Sequence, residues 1–197
     1  FGPCRGRTGM IQDRAEWYAS LFVGSQTRGI MVLTKPELIG SLKHEVNILL
    51  HLASKIDPKM VDYRPTAKQR STLAVLRYLS FMGPTLLRMA NNQADFESWK
   101  TESEAADARN FDQTAAVIAD QGQTYETLLS DMSDETFRAE IDNFDGSKTS
   151  RGVFITKYVL QGHAAYRTQL FLYLKSCGRD ELGTRNLWGG VDAPAAV

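Results

Sequence analysis

The sequence predicts an all-α fold, a four-helix bundle with a long crossover between its second and third helices. Three observations predict it. Apolar residues recur at helical spacing in four separate segments, and three of these start at a Ser or Thr able to cap a helix. Residues 91–104, "NNQADFESWKTESE", carry no sustained apolar period, and a connection of that length in a bundle commonly crosses over. Strand-like alternation is confined to one short stretch, "TFRAEIDNF".

The elements follow in order. Residues 1–30 hold scattered charges and glycines and begin on Phe1, so they read either as an extension added before Met31 or as a short amphipathic helix docking through Trp17, Leu21 and Phe22. Residues 31–197 form the bundle domain with a C-terminal tail. Thr34 and Glu37 make a capping box, and Pro36 suits a first turn. From there Leu38, Leu42, Val46, Leu49, Leu50 and Ala53 repeat at helical spacing until "DPK" stops the run near Asp57. Thr66 or Ser71 caps a second helix carrying Leu73, Leu76, Leu79, Leu86 and Leu87, with a kink expected at Gly83 and Pro84. A third helix is expected over about 105–131, with Phe111, Ala115, Ile118, Tyr125 and Leu128 or Leu129 inward. Phe137, Ala139 and Ile141 then alternate as a short extended segment before the turn "DGSKTS". The fourth helix starts near Thr149 or Ser150 and ends at Gly178, with Leu187 and Trp188 expected to pin the tail back.

Composition narrows the function. Lys plus Arg and Asp plus Glu number 23 each, so no overall field draws in nucleic acid or an anionic membrane. Cys4 and Cys177 belong to no CxxC pair, which points away from a disulfide framework and from a thiolate zinc site. No apolar run approaches the roughly 20 residues that span a bilayer. The expectation is a cytoplasmic protein without membrane or nucleic-acid partners. Walker loops, GxGxxG, GxSxG and HExxH are absent, "DNFDGS" lacks the terminal Glu of a calcium loop, and Glu135 with Asp142 reads as a solvated turn.

Three histidines remain. His44 and His51 share a stripe of the first helix but stand roughly 10 Å apart along its axis, too far for one metal ion. His163 lies in the apolar fourth helix, in "GHAAYRTQL", with Tyr166 and Gln169 one and two turns on along one face. Buried polar groups must find partners, since an unpaired one costs roughly 1–3 kcal/mol. Core hydrogen bonding and a functional pocket both satisfy that requirement.

The helix pair with its "RP" loop, the opening "STLAVLRYLSF", the crossover and the closing "HAAYRTQLFLYLKSCG" together resemble the DinB/YfiT-like family of metalloenzymes, over about residues 33–192. The most specific element is the fourth-helix pattern, in the family roughly HxxxHRGQL with a "YLR..G" ending, against "GHAAYRTQLFLYLKSCG" here. The resemblance implies an up-down-down-up bundle, frequently a homodimer. It also implies a divalent metal held by one helix-two and two helix-four histidines. Alignment on "RTQL" places the helix-four ligand positions at Gly162 and Tyr166, and alignment on "STLAVLRYLS" places the third at Tyr78. Glycine has no donor side chain, and neutral tyrosine is a poor ligand for zinc or nickel. His163 stands one residue off register, a turn of about 100° around the helix.

The expected function is therefore a DinB-like protein with a degenerate metal site and no cofactor, binding a small-molecule ligand in a pocket of Tyr78, His163, Tyr166 and Gln169. The alternative expectation is a zinc-, nickel- or thiol-dependent transferase with its ligands shifted around His163. A third is a bundle that serves only to dimerise.

Overall fold

The structure, a computed structural model, describes residues 33–194. Cys4, Met31 and the two readings of residues 1–30, including the docking of Trp17, Leu21 and Phe22, lie outside the described residues.

Helix α1 (Lys35–Ala53) begins at Thr34, whose side chain accepts from the Glu37 amide while the Glu37 carboxylate accepts from the Thr34 amide at 2.8 Å. That reciprocal box satisfies two of the donors a helix start leaves free. Leu38, Leu42, Val46 and Leu49 are buried along one face. Each contributes roughly 1.5–3 kcal/mol of burial energy. Ser54 ends the helix, and a short 3-10 turn (Pro58–Met60) follows. Helix α2 (Thr72–Ala90) is capped by Ser71, not Thr66, through the Ala74 amide at 3.2 Å. It runs through Gly83 and Pro84 as one element, and every residue from Ser80 to Leu87 is buried.

The connection that reads as aperiodic is itself helical. Helix α3 (Phe96–Asp107) starts at a capping box between Asp95 and Ser98, and of its twelve residues only Ala106 is buried. So polar a helix shows no apolar period, and its cap is the signal that marks it. A third box, Asn110 with Gln113, starts the third bundle helix α4 (Phe111–Ser130), so this helix begins several residues later than the expected 105. Ile118, Tyr125 and Leu129 are buried on its inner face together with two polar residues, Thr114 and Gln121.

The expected extended segment is extended only in part. Ser133 caps a short helix α5 (Asp134–Arg138) that buries Phe137. The hairpin of β1 (Glu140–Asp142) and β2 (Lys148–Ser150) follows, antiparallel, with Ile141 opposite Thr149. Gly146 takes φ +79° in its turn. Ser150 then caps the fourth rod, which comprises α6 (Arg151–Phe154), a π-helical stretch (Ile155–Leu160) and α7 (Gln161–Ser176). Gly178 at φ +90° terminates it.

Cross-helix contacts fix the directions. Lys35 reaches the Met132 carbonyl and Lys43 reaches Glu126, so α1 and α4 are antiparallel. Arg77 meets the Arg109 carbonyl and Leu79 meets Gln121, so α2 and α4 are parallel. Arg151 reaches the Ala90 carbonyl while Tyr173 reaches the Arg70 carbonyl, so α2 and the fourth rod are antiparallel. The bundle is up-down-down-up. Its packing order around the core is α1, α4, α2, fourth rod, which puts α1 diagonal to α2 and α4 diagonal to the fourth rod.

Between α1 and the fourth rod lies a buried ion pair. Arg167 Nε donates to Glu45 Oε2 at 2.6 Å and Nη2 to Oε1 at 3.1 Å, while Nη1 donates to the Leu187 carbonyl. The tail is held by its backbone and by Asn186, which is buried; of the two residues expected to pin it, Leu187 is half-buried and the Trp188 ring is 64% exposed, lying 5.3 Å from the Arg167 guanidinium. His44 bonds the Trp188 carbonyl at 2.9 Å, and His51 contacts Asn186 at 3.0 Å.

Candidate functional site

A cavity of about 510 Å³ lies between α2, α3, the hairpin tip and the fourth rod. Helix α2 supplies Tyr78, Met82, Leu86 and Met89; α3 supplies Phe96 and Trp99; the hairpin supplies Phe144; the fourth rod supplies Lys157, Tyr158, Gln161, Gly162, Ala165 and Tyr166. The rod residues recur at helical spacing along one stripe, so the wall follows from the register of that helix. Aromatic rings close the ends. Tyr78 and Tyr166 lie 4.7 Å apart by centroid, Trp99 packs at 5.0 Å from Phe81, and Phe144 packs at 4.9 Å from Tyr158. Phe96 is 72% exposed and Phe144 49%, and the two form an aromatic rim.

Of the four residues expected to share a pocket, two do. Tyr78 and Tyr166 line the cavity; His163 and Gln169 do not. Gln169 sits beyond the cavity's end, where its amide donates to Tyr173 Oη at 2.5 Å, and that hydroxyl donates to the Arg70 carbonyl at 3.1 Å. His163 follows Gly162 by one residue, and the resulting turn of about 100° aims it away from the cavity, into the bundle core. There its Nε2 lies 2.5 Å from Tyr125 Oη. Burial pushes the imidazole down to about 4, so the ring is neutral at pH 7.

The tautomer follows from counting partners, since Nδ1 has none among the described residues. If the phenol donates to Nε2, one ring N–H is left over. If the ring donates, both the Nδ1 lone pair and the phenolic hydrogen are left over. The first arrangement strands fewer groups.

Three positions correspond to the metal ligands that the resemblance implies: Tyr78, Gly162 and Tyr166. Burial, then the adjacent Tyr166, push the Tyr78 phenol up to about 12, so it stays protonated at neutral pH. Gly162 offers no donor atom, and its missing side chain is the space that Met82 fills, with a Cβ there falling 3.0 Å from Met82 Cε. This donor set does not fit zinc or nickel. Among the described residues no three His, Cys, Asp or Glu side chains converge.

The sequence reading missed the cavity walls contributed by the crossover and the hairpin. The Asp95–Ser98 cap would have located Phe96 and Trp99 on a helix. Nothing local would have placed Phe144 beside Tyr158, because that contact depends on how the hairpin folds back.

No family model matches the chain, and no curated protein matches it. Among solved structures, the chain is similar to the crystal structure of a DinB-like protein, YjoA, from Bacillus subtilis, with a TM-score of 0.57 and 15% identity. The match covers 74% of this chain and 94% of that one. The likeness is one of fold: an all-α bundle of DinB-like type.

Proposed function

We propose that this protein is a metal-free, small-ligand-binding member of the DinB-like fold, with its ligand held where a metal would sit in a complete site. The observation that carries the reading is the coincidence of two things at one place. Tyr78, Gly162 and Tyr166, the positions that correspond to the ligand set, all lie in the wall of the one aromatic cavity described above. Its volume suits a small organic molecule, and a mostly apolar lining with a few polar groups is the usual character of such sites.

The test joins metal analysis to ligand binding on the full, untagged chain. Purified protein is expected to hold only substoichiometric metal and to bind the neutral fluorophore N-phenyl-1-naphthylamine with a stoichiometry of one. Ala165→Trp, which fills the cavity from an exposed wall position, is expected to abolish that binding without lowering Tm. A stoichiometric, tightly held zinc, nickel or iron would defeat the reading, as would fluorophore binding indifferent to Ala165→Trp.

A further inference from the structure

The cavity's charge is one-sided. Lys157 is its single charged lining residue, and no carboxylate lines it. The Lys157 side chain is exposed at the rim, with Nζ 5.0 Å from the Tyr158 ring centroid. Among the described residues it makes no ion pair. The carboxylate that feels its charge is Asp145, in the hairpin turn. One oxygen of that carboxylate, Oδ1, accepts from the Ser147 amide at 2.9 Å and from the Ser147 hydroxyl at 2.6 Å, and the carboxylate makes no ion pair with Lys157. Among the described residues the ammonium makes no hydrogen bond either, so its donors are open to a ligand.

The far end adds to the same sign. The Arg70 guanidinium lies 4.2 Å from the Tyr78 ring centroid and 5.8 Å from that of Tyr166. A cationic ligand would meet Lys157 at one end and Arg70 behind the tyrosines at the other, with no acid in the wall to offset either. Lys157 and Tyr166 are nine positions apart along the rod, about 13 Å at the α-helical rise and somewhat less through the π-helical part. That length suits an elongated apolar body with one polar head.

We propose that the cavity's ligand is an anionic amphiphile, with a carboxylate or sulfonate head at Lys157 Nζ beside the Gln161 amide and an apolar body among Met82, Trp99 and Phe144. The inference rests on the reading of the cavity as a ligand site and goes beyond it to the ligand's charge. No covalent step is involved.

The test compares two fluorophores that share one skeleton: N-phenyl-1-naphthylamine, which is neutral, and 8-anilino-1-naphthalenesulfonate, which carries one negative charge. The anion is expected to bind roughly fivefold tighter, as a single ion pair at a partly exposed rim provides. Lys157→Met should remove that preference, read as the ratio of the two probes' affinities within the variant. Lys157→Arg should keep it, and added salt should weaken only the anion. Equal binding of the two probes, or an anion preference that survives Lys157→Met, overturns the anionic assignment while the cavity reading stands. Failure of both probes to bind overturns the two together.

Discussion

Tyr125 Oη and His163 Nε2, 2.5 Å apart, join two helices that stand diagonally across the bundle. Diagonal helices face each other across the full width of the core, so their side chains meet less readily than those of neighbours. Here α2 packs against the pair at Gly83, where a Cβ would collide with the tyrosine hydroxyl and lie 2.7 Å from His163 Nε2. Three residues thus form one packing unit: a glycine that yields its volume and a polar pair that occupies it.

Tyr125→Phe is expected to destabilise the protein by about 1–3 kcal/mol, because it leaves a fully buried imidazole nitrogen without its partner. Tyr125→Phe combined with His163→Leu should cost less than the two single changes added together. Urea unfolding of the four proteins measures the cycle, and strict additivity would refute the coupling.

The same pair sets a pH dependence. Burial holds His163 at about 4 in the folded state, against 6.5 for a free imidazole. Between those values the unfolded chain binds a proton that the folded chain refuses. Stability from this site is therefore complete above pH 6.5 and falls as pH drops toward 4, by about 3 kcal/mol. Tyr125, held well above 10 by burial, acts in the opposite sense, its share being lost as pH rises past 10. Unfolding at pH 7.5 and 4.5 should show a smaller acid loss in the Tyr125→Phe, His163→Leu double variant than in the parent. Equal losses would contradict the assignment.

Two glycines in helix interiors should respond in opposite ways to alanine. At Gly40 a Cβ meets nothing within 4 Å, so Gly40→Ala should stabilise by about 0.5–1 kcal/mol through helix propensity. Gly83→Ala should destabilise, and adding Tyr125→Phe should recover part of the loss by removing the atom in the way. Thermal melts of the three variants decide it.

Glu45 and Arg167 are both nearly inaccessible, at 9% and 4% exposure. Glu45→Ala should cost about 3–5 kcal/mol by stranding a buried guanidinium. Glu45→Leu with Arg167→Met should recover most of that. Amides of residues 185–191 should nonetheless exchange faster in the double variant, since Arg167 also holds the Leu187 carbonyl. Unchanged exchange there would show that the tail is held by other contacts.

Much of the fold was legible because its signals are local. The Thr34–Glu37 cap, the leucine stripes of α1 and α2, the Ser150 start and the Gly178 stop each depend on residues within a turn or two of one another. Helix α3 was hidden because a helix lying on the surface of a bundle needs no apolar stripe, and the period that reveals other helices is absent from it. The site was half legible. Tyr166 is marked by its polar company in the fourth helix and Tyr78 by the alignment that the resemblance implies, while His163, expected beside them, is turned away by its one-residue offset. The partner that His163 finds was not legible, because Tyr125 lies 38 positions away in sequence and reaches it in the space that Gly83 of a third helix leaves free. Gln169 shares a stripe with Tyr166, but the stripe outruns the cavity, and where a cavity ends is decided by tertiary packing.

The order of the helices around the core bears on how the chain assembles. Helix α1 leans on α4 and on the fourth rod, its contacts with α2 being slight, and the Lys35–Met132 and Glu45–Arg167 links bridge 97 and 122 positions of sequence. Bundles whose sequential helices pair directly owe their rapid folding to short-range contacts. Among the described residues, the leucine face of α1 is synthesised well before the helix that covers most of it, and that contact waits until α4 has left the ribosome. A nascent chain halted before residue 111 lacks the cover that α4 supplies to that face.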